Sequence, residues 1–182
     1  MQDPKKIFIS KLFSKYLQTE KKGRIILTYH SLNKLLNNLT TDIYQLELET
    51  FLKQLLFLKQ NNFQSKTFNE LNKSTNGFLI TFDDGYKNFL YNGLEHILKY
   101  NFNTIIFVCP KLIKENNSDY LNVDDLREIS KYKNIEIGSH SYDHVNLTTL
   151  SKKDVLIQLE KSKKYLEDII SFEVDKISYP FG

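Results

Sequence analysis

The chain has 182 residues, 41% of them hydrophobic and 26% charged, and its 25 basic and 22 acidic side chains leave a net charge of +3. This is one soluble domain large enough for a core, and its balanced, scattered charge argues against a nucleic-acid partner. A single cysteine excludes an intrachain disulfide, and no apolar run approaches the ~20 residues of a membrane span.

Residues 5–19 place Phe8, Ile9, Leu12, Phe13, Tyr16 and Leu17 at helical spacing among lysines. This predicts an amphipathic helix that packs on the domain or lies on a membrane surface. It has no apolar stretch or cleavage site of a signal peptide, so the default location is cytoplasmic or peripheral to a membrane. The expected organisation is this helix and linker over residues 1–23, then one domain over 24–182.

Residues 24–30 read as a buried strand ending at His30, and 46–60 as a helix with Leu48, Phe51, Leu52, Leu55 and Leu56 at helical spacing. Residues 63–67 form a short strand candidate and 68–71 a turn of helix. The apolar run through Phe78, Leu79, Ile80, Thr81 and Phe82 is a strand that stops at Asp83-Asp84-Gly85. A helix over 87–100, a strand over 104–108 broken by Pro110, and a short helix over 123–131 follow. Cys109 closes that strand and reads as a buried inert thiol. Residues 134–138 make another strand, Ser151 to Asp154 resembles a capping box opening a helix to about residue 170, and 176–179 reads as a last strand.

Strand and helix alternate about six times without a repeat, which marks a parallel α/β domain. No Gly-rich phosphate loop follows the first strand, which argues against a nucleotide-binding version. Eight-stranded (β/α) barrels usually need ~250 residues, so six strands point to an unfinished barrel or an open sheet. An open edge invites a second copy or another partner.

Two stretches carry chemistry. Asp83-Asp84-Gly85 ends a strand where parallel sheets place their sites. Adjacent strand residues face opposite ways, so both carboxylates can serve one site only if the chain bends, as Gly85 permits. Read alone, the triplet is equally a solvated turn. His140 and His144, four apart in a loop after a strand, fall on the same rim. Two imidazoles and a carboxylate make an open metal site suited to hydrolysis. Alone, such a pair is more often structural. Together with the carboxylates, the preference reverses.

Thr81-Phe82-Asp83-Asp84-Gly85 and His140-Ser141-Tyr142-Asp143-His144 resemble the first two motifs of the polysaccharide deacetylases, the NodB-homology domains of carbohydrate esterase family 4. Tyr179-Pro180-Phe181-Gly182 is similar to the third. The resemblance implies a distorted (β/α) barrel that removes N-acetyl groups from amino sugars of a polysaccharide or glycolipid-linked saccharide, in the bacterial cell envelope. It implies a divalent metal, zinc first, with Co2+, Ni2+ or Mn2+ as substitutes. By position, Asp84, His140 and His144 would be its ligands and Asp83 the general base. Phe181 would lend its backbone N–H to an oxyanion, and Tyr179 and Pro180 would line the substrate. Family members often carry arginine where this chain has Ser178. They also continue to a Leu-x-His motif whose histidine is the general acid; its absence here makes the domain read as C-terminally truncated. His30 is the candidate stand-in acid, against a structural role; His96, beside Glu95 in a helix, reads as surface or core. The alternative is a catalytically weak member acting as a metal- or carbohydrate-binding module.

Overall fold

A computed structural model of the chain describes residues 23–33 and 44–182. The amphipathic helix expected over 5–19 lies outside them. In chain order the described elements begin with β1 (Gly23–Tyr29), β2 (Ser31–Asn33), β3 (Gln45–Glu47), α1 (Leu48–Gln60), α2 (Phe68–Lys73) and β4 (Asn76–Phe82). They continue with α3 (Asn88–Asn92), α4 (Leu94–Tyr100), β5 (Thr104–Val108), α5 (Pro110–Lys114), α6 (Val123–Ile129), β6 (Ile135–Ser139) and α7 (Lys152–Ile170). The α/β reading holds, with every strand pair parallel.

The main sheet has the order β1-β4-β5-β6, and β2 pairs with β3 beside it. The two central strands are buried on both faces, β4 from Gly77 to Phe82 and β5 throughout, which is why they read as continuous apolar runs. On one face Phe78, Ile80, Phe82 and Ile106 meet Phe51, Leu55 and Leu58 of α1, Ile97 of α4, and Leu126 and Leu166 of α6 and α7. The opposite face is thinner, with Leu79, Ile105 and Phe107 packed on Leu71 of α2.

The core rises to the sheet's carboxyl end as an aromatic cluster. The Phe82 ring lies 4.7 Å from Phe89, 5.4 Å from Tyr29 and 5.8 Å from Phe51, centroid to centroid. These rings form a rigid floor directly under the residues that follow Phe82.

Several expected elements differ. Residues 63–67 contribute only a single bridge, Ser65 to Phe78, because Thr67 turns to cap α2 with a full capping box. Residues 176–179 likewise make one bridge, Ile177 to Ser139. Beyond it, Pro180 has no N–H for a ladder, and Gly182 N–H closes a turn onto Tyr179 O at 3.2 Å. The helix expected over 87–100 breaks at Gly93, where an added Cβ would lie 2.9 Å from the Phe89 ring and 3.0 Å from Leu32. Pro110 does end a strand, and it also opens α5 from the first helical turn. The pairing of β2 with β3, three residues each, had no legible periodicity.

Candidate metal centre

The register brings the sheet's carboxyl ends together: Tyr29 pairs with Phe82 and Val108 with Ser139. The residues that follow these strands, His30, Asp83 and His140, therefore emerge on one rim. His30 and Asp83 are close enough for the charge of His30 to act on the Asp83 carboxyl.

The bend after β4 is sharp. Asp83 N–H still donates to Tyr29 O at 2.9 Å, but Asp84 and Gly85 take φ of 67° and 73°. Two successive left-handed residues turn the chain, so the two carboxylates leave it in different directions. Asp83 is 7% exposed, and its Oδ2 accepts the Ser178 hydroxyl at 3.0 Å. Its Oδ1 is buried with no hydrogen-bond partner. A Cβ on Gly85 would lie 3.2 Å from Val108, so space as well as φ favours glycine there.

The second loop starts from β6, where Gly138 is required by close packing: a Cβ there would lie 2.5 Å from the Phe107 ring. His140 N–H donates to Val108 O at 2.9 Å, while Ser141 and His144 adopt φ of 58° and 53°. The chain thus folds back and aims both imidazoles at Asp84. His140 Nε2 lies 3.4 Å and His144 Nε2 3.0 Å from Asp84 Oδ1.

The third stretch completes the arrangement. Ser178 O lies 3.0 Å from His140 Nδ1. A carbonyl can only accept, so Nδ1 carries a proton and the ring is turned with Nε2 towards Asp84. Phe181, with φ of 68°, sets its ring edge-on to His144 at 5.0 Å. Among the described residues its backbone N–H donates to no other backbone group. Tyr179 is 62% exposed and Pro180 is buried beside it. The His30 ring lies 4.7 Å from that of Tyr44, and His96 stays on α4, apart from the cluster.

Burial pushes the Asp84 carboxyl up, but the contacts and charges of His140 and His144 outweigh it and hold the group well below the usual carboxylate range. His144 is raised by the same contact. Burial pushes Asp83 up, and the opposing pulls of His140, Ser178 and His30 do not cancel it. One carboxylate is therefore held ionised and the other made more basic, two environments suited to two roles.

The donor set fits a metal ion. Asp84, His140 and His144 each offer a ligand atom, all within 4.8 Å of one another. Ligand atoms on a tetrahedral ion ~2.0–2.2 Å away lie roughly 3.3–3.6 Å apart, close to the contacts observed. Asp84 Oδ1 is buried and faces the two Nε2 atoms at 3.4 and 3.0 Å without a well-aligned hydrogen bond to either, and a cation held among the three would satisfy them together. The His140 Nδ1 contact to a carbonyl is the support that metal-bound histidines usually have.

Sequence reasoning places these three residues together, with Asp83 beside them. It notes Ser178 only as a departure, at the position where family members often carry an arginine that orients the catalytic aspartate. It does not foresee that the Ser178 hydroxyl meets Asp83 and its carbonyl His140.

The chain is similar to proteins that are already described. The sequence family described as "Polysaccharide deacetylase" matches residues 70–182, more than half of the chain. A Bacillus subtilis (strain 168) protein, YxkH, provisionally named a polysaccharide deacetylase, is 28% identical over 178 residues. The match takes in 93% of this chain but 61% of YxkH, so the chain spans about three fifths of that relative. The solved Streptococcus pyogenes deacetylase PplD, in complex with acetate, superposes with a TM-score of 0.78 at 20% identity, over 88% of this chain and 74% of that one. A de-N-acetylase from Aggregatibacter actinomycetemcomitans superposes at 0.71 with 18% identity, over 87% and 79%. At such identities the superpositions establish the fold.

Proposed function

The chain belongs to the polysaccharide deacetylase family, and on that premise we propose that it hydrolyses N-acetyl groups on amino sugars of a polysaccharide or glycolipid-linked saccharide, with a divalent metal. The observation that carries the proposal is the convergence of His140 and His144 Nε2 on the buried Oδ1 of Asp84 at 3.4 and 3.0 Å. Two imidazoles and one carboxylate suit zinc, with cobalt, nickel or manganese as substitutes. An ion held there would polarise the acetamide oxygen and make a water more acidic.

The protein groups supply the rest. Asp83 takes the proton of the attacking water through its unpartnered Oδ1, while the Ser178 hydroxyl holds Oδ2. Its raised basicity suits the task. The water oxygen adds to the acetyl carbon, and the charge that grows on the former carbonyl oxygen meets the Phe181 N–H. The C–N bond then breaks, and the amine nitrogen must gain a proton to leave. His30, on the rim beside Asp83, is the group we assign to that step. Tyr179 and Pro180 form the wall against which the sugar ring lies.

Metal stoichiometry of the purified 182-residue chain beside its His140→Ala variant tests the reading without a guess at the sugar. About one zinc per wild-type chain, lost in the variant, is the expected result. Acetate release from N-acetylglucosamine oligomers, reduced ~10²–10⁴-fold by Asp83→Asn at unchanged zinc content, would place Asp83 as the base. Wild-type protein that binds no metal would remove the enzymatic proposal.

A further inference from the structure

The stretch from His140 to His144 is an awkward piece of chain. Of its five residues, Ser141 and His144 both sit in the left-handed region without being glycine. Such conformations persist only where surrounding contacts enforce them. His140 is well anchored, since its N–H is taken by Val108 O and its Nδ1 by Ser178 O. His144 is held through its ring, by Asp84 Oδ1 at 3.0 Å and the edge of Phe181, while the path of its backbone depends on the residues just before it.

One side chain, Gln158, holds both of those residues. Gln158 Oε1 accepts the Tyr142 N–H at 3.1 Å and the Asp143 N–H at 2.9 Å, and its Nε2 donates to Asp143 Oδ2 at 2.7 Å. From the other side Tyr142 O accepts Lys111 N–H at 3.0 Å and the Cys109 thiol at 3.1 Å. Residues 142–143 are thus clamped between Gln158 and the start of α5.

Gln158 is rigidly placed. It lies on α7 at spacings of four from Ser162, Leu166 and Ile170, which share one face of the helix. Leu166 and Ile170 are buried in the core, and the buried Ser162 hydroxyl meets Ser139 Oγ at 2.7 Å. The helix therefore acts as a ruler from the core, past the end of β6, to the loop. The site also selects an amide. Leucine offers no polar atom, lysine and arginine cannot accept, and glutamate would set a carboxylate against Asp143.

We propose that Gln158 is a positioning residue for the metal centre, setting His144 by reading the backbone and side chain of residues 142–143. The inference rests on the metal-binding reading of Asp84, His140 and His144. Outer-sphere supports of this kind are worth ~10–100-fold in metal affinity.

The test is competitive zinc titration at pH 7.5 on the full chain, as wild type, Gln158→Met, Gln158→Glu and Gln158→Glu/Asp143→Asn, with metal-free thermal melts of each. Gln158→Met removes all three hydrogen bonds without adding charge, and should weaken zinc ~10–100-fold. Gln158→Glu should do at least as much. In the double variant the amide introduced at position 143 can donate to one oxygen of the carboxylate introduced at position 158. The other oxygen of that carboxylate still accepts both N–H groups, so affinity should return to within about threefold of wild type, given complementary pairing. Variants that melt lower yet bind zinc as tightly as wild type would assign Gln158 a purely structural role and overturn the inference. A double variant as weak as Gln158→Glu would overturn it too. Wild-type protein without zinc affinity would instead remove the metal reading beneath it, a separate outcome.

Discussion

Replacing Ser178 by alanine separates the base from the metal ligands, because Ser178 serves them through different atoms. Its hydroxyl donates to Asp83 Oδ2 at 3.0 Å, whereas its backbone carbonyl faces His140 Nδ1 at 3.0 Å. Alanine deletes the first contact and keeps the second. Asp83 is 7% exposed and its Oδ1 already lacks a partner, so the variant would leave a buried carboxylate with no side-chain hydrogen bond to orient it. A hydrogen bond to a charged group contributes ~1.5–3 kcal/mol. At ~1.36 kcal/mol per tenfold in rate, its loss should lower kcat by about 10- to 150-fold. The assay pairs steady-state acetate release with zinc titration on the same preparation. Ser178→Ala should lose turnover and keep its zinc affinity, and Ser178→Thr should recover most of the rate. A parallel loss of zinc would refute the separation of roles. Unchanged turnover would refute the orientation of Asp83 by this hydroxyl.

Zinc affinity should depend on pH with a definite sign. The Asp84 contact raises His144 above the ~6.5 of a free imidazole, and a protonated imidazole cannot ligate. Apparent affinity should therefore fall as pH drops through that raised value, approaching tenfold per pH unit if one proton competes, as a titration from pH 8 to 6 would show. In metal-free protein the same pairing stabilises below ~6.5 and is lost as pH rises through the raised value, so the melting temperature should decline in that window. A melting temperature that climbs there would contradict the His144–Asp84 contact. Under the site, Phe82→Ala should cost ~3–5 kcal/mol in denaturant unfolding, since the ring is 1% exposed and meets three aromatic neighbours. A loss under ~1 kcal/mol would mean that the cluster collapses into the cavity without cost.

Much of the site was legible in the chain. An apolar run stopping at Asp83-Asp84-Gly85, and a short strand stopping before His140, each state where a buried element ends. In a parallel sheet those ends share a rim. The interruption at Gly93 was not legible, because an interior glycine costs a helix only ~1 kcal/mol; the close approach of Phe89 and Leu32, set by packing, leaves no room for a Cβ there. Residues 63–67 and 176–179 have strand-like composition but make one bridge each, since capping at Thr67 and the turn at Pro180 claim their neighbours.

By itself the sequence determined the alternation of strands and helices, the burial of β4 and β5, and the residue types offered at the strand ends, because burial periodicity and chain breakers are local properties. Only the tertiary structure decided which atoms of those residues face one another. Ser178 reaches Asp83 across 95 positions and Gln158 reaches Asp143 across 15, contacts that depend on sheet register and on how α7 seats against Ser139. A hydroxyl or an amide carries no mark of its partner until packing brings the two within hydrogen-bond distance and shuts out the water that would otherwise serve.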